Sequence, residues 1–205
     1  KMKAIYKYSN LLIILVLISQ LAFANTDKKG GVDEQREVKA LYKVGSGDQL
    51  NLSNKYGEIH IDTWDRNEVS VVIKITAWGR NDADAKENLN RVEIKHEKSG
   101  KDITFLTDIE ERKHSNRNNK SGFEVNYEVK MPKTLKLDLT NKFGDVYIAE
   151  HAADLYVKVQ HGEFKAGELI SEKQDINISF GEVDIKALGS GELRVRHGEC
   201  TIGKA

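Results

Sequence analysis

Asn54-Lys55-Tyr56-Gly57-Glu58-Ile59-His60-Ile61 and Asn141-Lys142-Phe143-Gly144-Asp145-Val146-Tyr147-Ile148 are two copies of one pattern. It returns as Val159-Gln160-His161-Gly162-Glu163-Phe164-Lys165-Ala166 and as Ile178-Ser179-Phe180-Gly181-Glu182-Val183-Asp184-Ile185. A fifth copy is Val195-Arg196-His197-Gly198-Glu199-Cys200-Thr201-Ile202. From Gly144 onward the glycines Gly144, Gly162, Gly181 and Gly198 are 18, 19 and 17 residues apart. Self-similarity at such a period marks stacked repeats, each of which buries its apolar face only against its neighbours.

The columns of this alignment choose strand over helix. Two positions after the glycine stand Ile59, Val146, Phe164, Val183 and Cys200; four after it stand Ile61, Ile148, Ala166, Ile185 and Ile202. The residues between are His60, Tyr147, Lys165, Asp184 and Thr201. Alternation with period two is a strand with one face buried. The glycine, fixed between two strand segments, predicts a bend or a positive φ. Before it stands a ring in every copy: Tyr56, Phe143, His161, Phe180, His197. Rings in one column would stack at about the 4.8 Å strand spacing. After it stands an acid in every copy: Glu58, Asp145, Glu163, Glu182, Glu199.

Working outward, Lys1, Lys3 and Lys7 precede an apolar run from Leu11 that ends at Ala22-Phe23-Ala24. A basic start, a short apolar segment and a small-x-small site predict a signal peptide over residues 1–24. Residues 25–36 read as a flexible leader, and structure is expected from Glu37. No stable membrane span is expected after cleavage, because the run is shorter than the roughly 20 apolar residues a spanning helix needs. Trp64-Asp65-Arg66-Asn67 reads as a turn, Val69 to Trp78 as a strand, and Asp82 to Asn90 as a helix capped by Asn81 or Asp82. The polar stretch Glu110 to Ser121 reads as a hairpin tip. Everything between Gly57 and Gly144 reads as one long excursion from the repeats. Asn54 and Asn141 share a column, so their repeats are expected to stack and the two amides to form a short ladder.

Lysine plus arginine total 32 and aspartate plus glutamate total 32, so no excess positive charge supports nucleic-acid binding. The single Cys200 rules out an intramolecular disulfide and, from its column, reads as a small buried hydrophobe.

Leu50-x-Leu52-x-Asn54-x-Tyr56-Gly57-Glu58-Ile59, Trp64-Asp65-Arg66-Asn67-Glu68-Val69, Pro132 and Asn141-x-Phe143-Gly144-Asp145-Val146 together resemble the bacterial β-strand-repeat family called putative adhesins, an exported domain of unknown function. The resemblance covers residues 37–205. It implies an all-β, single-stranded, right-handed β-helix-like solenoid, with coils of about 17–19 residues by the spacing above and one strand and helix excursion after the first coil. It brings no catalytic residues. The expected protein is therefore a non-enzymatic exported surface for binding or adhesion at the cell envelope, with a protein or glycan partner and no cofactor. The alternatives are an envelope sensing or regulatory partner and, less favoured, a carbohydrate-active β-helix enzyme.

Two further expectations follow. The acidic column Glu58, Asp145, Glu163, Glu182, Glu199 is a candidate calcium or ligand column, because stacked carboxylates repel and calcium prefers their oxygens. Solvation, or pairing with Lys55, Lys142 and Arg196, accounts for it without a metal, and no metal ligands are assigned; His161 and His197 are too few for zinc. At the C-terminal end nothing after Ile202 is long enough to cap a stack, and Lys1 precedes Met2. The expectation is a truncated C-terminal end, with self-association through the open edge.

Overall fold

The computed structural model describes residues 32–111 and 121–204. The expected signal peptide, the leader up to residue 31, and residues 112–120 of the expected hairpin tip lie outside the described residues. The described residues open with β1 (Val32–Lys43), so residues 32–36 of the expected leader are strand and structure starts ahead of Glu37; β2 (Gln49–Tyr56), β3 (Ile59–Thr63) and β4 (Glu68–Gly79) follow. Helix α1 (Asp82–Asn90) follows, then β5 (Val92–Ser99), β6 (Asp102–Ile109) and β7 (Gly122–Met131). The regular repeats supply β8 (Lys136–Phe143), β9 (Val146–His151), β10 (Leu155–Gln160), β11 (Phe164–Leu169), β12 (Gln174–Ser179), β13 (Val183–Leu188), β14 (Glu192–Arg196) and β15 (Cys200–Lys204).

These strands form two sheets, packed face to face in a sandwich-like arrangement. One has eight strands in the order β1-β4-β7-β3-β9-β11-β13-β15; the other has seven in the order β14-β12-β10-β8-β2-β6-β5. The right-handed β-helix-like solenoid is therefore not the fold. Each repeat contributes one strand to each sheet, so it fills two layers and does not close a tube. Both sheets are also mixed: β1–β4, β4–β7 and β5–β6 pair antiparallel, whereas the repeat strands pair parallel. The excursion is corrected too. Its strands do not leave the body; β6 pairs with β2 and β7 with β3, completing both sheets on the far side of the first repeat.

The column alignment holds in space. Leu50 pairs with Leu137, which pairs with Leu155; Ile59 pairs with Val146, which pairs with Phe164. These side chains, with Val157, Ile176, Ile148, Val183 and Ile185, are buried between the sheets. Alternation sends every second residue inward from both layers, and burying this apolar surface is the main stabilising term. Polar groups join the core as well. The Tyr127 hydroxyl lies 2.7 Å from Thr107 Oγ1, and burial pushes its pKa up to about 12. His151, at the end of β9, is 1% exposed, and burial pulls its imidazole down to about 4.

Helix α1 matches its sequence reading. Asn81 Oδ1 accepts the Asp84 N–H at 2.9 Å, and Asp82 and Asp84 sit in the first turn, where the helix dipole favours negative charge. Buried Asn88 donates to the Trp78 carbonyl at 2.8 Å and ties the helix to the end of β4.

The repeats at Gly57 and Gly144 do stack, and Asn54 pairs in register with Asn141. The amide ladder does not form. Asn54 Nδ2 donates to the Val125 carbonyl at 2.9 Å, and Asn141 Nδ2 donates to the carbonyls of Gly57 and Gly144, both at 2.9 Å. The amide protons go instead to backbone carbonyls, of Val125 on β7 and of the two corner glycines, which would otherwise lack them. Cys200 is exposed, because it sits on the edge strand β15.

Candidate functional site

The corner at which the chain passes from the seven-stranded to the eight-stranded sheet carries the glycine, ring and acid columns. The glycines are there for want of room. A Cβ on Gly144 would stand 2.2 Å from the Gly57 carbonyl oxygen; on Gly162, 2.1 Å from that of Gly144; on Gly181, 1.9 Å from that of Gly162; on Gly198, 1.8 Å from that of Gly181. On Gly57 it would meet the Val125 carbonyl oxygen at 2.4 Å. Each corner is thus seated against the next by direct backbone contact.

The strained residue shifts along the column. In the first two copies the positive φ falls on glycine, at Gly57 (116°) and Gly144 (126°). In the last three it falls on the ring residue: His161 (52°), Phe180 (57°) and His197 (57°). Left-handed backbone at a residue with a Cβ costs roughly 1–2 kcal/mol. The outcome is a continuous stack. Tyr56, Phe143, His161, Phe180 and His197 follow one another with centroids 5.2, 5.1, 4.9 and 4.8 Å apart and planes within 14° of parallel. Phe123 closes one end edge-on against Tyr56 at 5.7 Å. Lys55 and Lys142 lie over Tyr56 and Phe143 at 5.6 and 5.2 Å. The stack lies at the surface, with Phe180 53% exposed.

The acids form a column on the sequence but not one site. Asp145 Oδ1 accepts the backbone N–H of Glu163 at 2.8 Å, and Glu163 pairs with Lys165, two residues on. The Glu58 N–H takes its acceptor from Asn126 Oδ1 at 2.8 Å. Glu182 and Glu199 are exposed. Among the described residues, no group of three or more histidines, cysteines, aspartates or glutamates is arranged to hold a metal ion. The Lys55 and Lys142 pairing expected for the acids is also replaced, since both ammoniums lie over rings.

A cleft of about 590 Å³ opens between β1, an edge strand of one sheet, and β5 and β6 at the edge of the other. Its arginines close the gap. Arg36 Nη2 donates to the Val92 carbonyl, and Arg91 Nε donates to the Glu110 carbonyl at 2.9 Å while its guanidinium lies 5.5 Å over the Phe123 ring. Among the described residues no helix is long and apolar enough to cross a membrane.

No protein-family model and no curated protein matches the chain. Solved structures do. A putative cell adhesion protein from Clostridium sporogenes is similar over 84% of this chain and 100% of that one, with a TM-score of 0.51 and 12% identity. Putative adhesins from Parabacteroides merdae (10% identity, 81% and 77% of the two chains, TM-score 0.32) and Parabacteroides distasonis (11%, 82% and 78%, 0.31) are more distant. The Clostridium likeness is one of fold. It agrees with the putative-adhesin resemblance carried by the sequence motifs.

Proposed function

We propose that this protein is an exported, non-enzymatic binding or adhesion module of the bacterial cell envelope. The observation that carries this reading is the surface ring stack. Three of its members, His161, Phe180 and His197, hold left-handed backbone at a residue with a Cβ, although Gly57 and Gly144 show how the same corner is built without that strain. Strain of this kind gathers where a surface is used. Lys55 and Lys142 lie over its rings and Asp145 is held by backbone, while Glu182 and Glu199 stay exposed, as suits a display surface. The name of the Clostridium relative, a putative cell adhesion protein, supports the same reading.

The test is adhesion together with location. The epitope-tagged chain, expressed in a bacterium, should be recovered from the envelope or the medium with residues 1–24 removed. Beads coated with it should adhere to bacterial envelope or host-matrix surfaces, and beads coated with a Phe180→Ala, His197→Ala variant should adhere less. Retention in the cytoplasm, or wild-type beads that adhere to nothing, would overturn the proposal. Release of reducing ends from envelope polysaccharide would favour the carbohydrate-active alternative, and a stoichiometric envelope partner without adhesion would favour the regulatory one.

A further inference from the structure

The outer face of the seven-stranded sheet carries a second feature that follows from register. On β10, β12 and β14 the outward residues line up across the sheet as Tyr156–Asp175–Glu192, Lys158–Asn177–Arg194 and Gln160–Ser179–Arg196. The middle strand bears short side chains and both flanking strands bear long ones. The sheet therefore has a trough along β12, with a volume of about 360 Å³. From Asp175 to Ser179 it runs roughly 13 Å at the usual rise per residue, room for roughly two sugar rings.

Its floor is fixed before any ligand arrives. Asp175 Oδ1 accepts from Asn177 Nδ2 at 2.7 Å and from Arg194 Nη1 at 3.0 Å, and the same Nη1 lies 3.2 Å from Asn177 Oδ1. Arg194 also pairs with Glu192, so its charge is balanced locally. Lys158 and Arg196, on opposite walls, have no ion pair or side-chain hydrogen bond among the described residues. Two unbalanced cations thus stand diagonally across the trough, Lys158 level with Asn177 and Arg196 level with Ser179. At one end the Tyr156 ring is 37% exposed, a flat apolar face beside polar groups.

Each part selects a chemistry. Unpaired cations on opposite walls call for an anion, and the guanidinium of Arg196 suits a planar carboxylate. The second Asn177 amide proton, the second Asp175 oxygen and the Ser179 hydroxyl offer donors and acceptors for a row of hydroxyls. The aromatic face takes the apolar side of a ring. Carboxylate, hydroxyls and an apolar ring face occur together in a uronic acid. We propose that the trough along β12 binds an acidic polysaccharide, with a uronate carboxylate between Lys158 and Arg196 and the neighbouring sugar on Tyr156. This rests on the binding-module reading above and gives it a site and a ligand class.

The probes are uronate trimers: galacturonate, mannuronate, guluronate and a glucuronate-containing trimer. They are titrated calorimetrically into the exported chain, with carboxyl-reduced trimers and linear polyphosphate as controls. At least one trimer should bind. Lys158→Gln with Arg196→Gln should weaken it by roughly tenfold or more, as should reduction of its carboxyls. Tyr156→Ala should weaken the trimer and leave polyphosphate attraction unchanged, and thermal melts confirm that each variant folds. If no trimer binds, if polyphosphate binds as tightly as the best trimer, or if the double variant binds unchanged, the proposal is overturned. Bead adhesion separates the two claims. Wild-type and double-variant beads that adhere equally leave the module reading intact and remove the trough; wild-type beads that never adhere remove the module reading, while the titration still decides the trough.

Discussion

The Asp145 carboxylate accepts the backbone N–H of Glu163, 2.8 Å away and one repeat further along the chain. An acid in the column therefore caps the next corner in at least one place, and that part of the pattern is structural. Asp145→Ala should lower the unfolding free energy by about 1–2 kcal/mol, the usual loss for a charge-assisted hydrogen bond, and Glu182→Ala should cost less than about 0.5 kcal/mol. Urea denaturation measures both. Equal effects would mean that the cap contributes nothing.

The same engagement bears on calcium. Glu163 pairs with Lys165 and Asp145 with backbone, so a cation would have to displace partners already in place. Millimolar calcium should raise the melting temperature no more than sodium chloride at matched ionic strength. A specific rise, abolished by Glu163→Gln with Glu182→Gln, would contradict this.

Glycine substitutions should divide by contact rather than by exposure. Gly181→Ala drives a methyl to 1.9 Å from the Gly162 carbonyl oxygen, so the corners must separate; the expected cost is about 3 kcal/mol. Gly45→Ala meets nothing within 4 Å and should change stability by less than about 0.5 kcal/mol. Similar melts for the two variants would remove the account of the column.

At Phe180 the usual order of alanine and glycine should invert. Both substitutions delete the ring, but only glycine relieves the left-handed backbone at φ 57°. Phe180→Gly should therefore be about 1 kcal/mol more stable than Phe180→Ala. Finding the alanine variant more stable would show that the strain is not borne at this residue.

His151 predicts acid sensitivity. Its folded pKa is about 4 against an ordinary 6.5, because burial disfavours the charged ring. Above pH 6.5 it is neutral in both states and contributes no pH dependence. As pH falls from there towards 4, the unfolded chain takes up the proton first and stability is lost, by about 3 kcal/mol at most. His151→Leu, beside Leu169 in the register, should flatten the stability profile over that window. Parallel profiles for wild type and variant would refute it.

Much of this was legible along the chain. Period-two alternation named the inward residues from Leu50 to Ile185, the fixed glycine marked the corner, and Asn81 announced helix α1. The layer plan was not legible. Alternation says which residues face inward, but a repeat of two strands and two turns alternates identically whether it closes a tube or fills two sheets. Nor does any local signal tell Val71 that Val129 will lie beside it antiparallel. The trough was missed for a related reason. Its contrast of long and short side chains runs across strands 17–19 residues apart in the chain. The aligned outward columns do contain it, once they are read for size rather than for polarity.

The strand order has a mechanical consequence. β1 and β15 are the two edges of the eight-stranded sheet, so a load applied to one against the other crosses every ladder at right angles to the strands. Under that load the hydrogen bonds do not share the force. They part at whichever edge yields first, then at the next, as a zipper does, and each opening releases slack before the next ladder is stressed. Opened this way, the sheet gives by increments of single strands and dissipates a sudden tug that would snap a brittle joint.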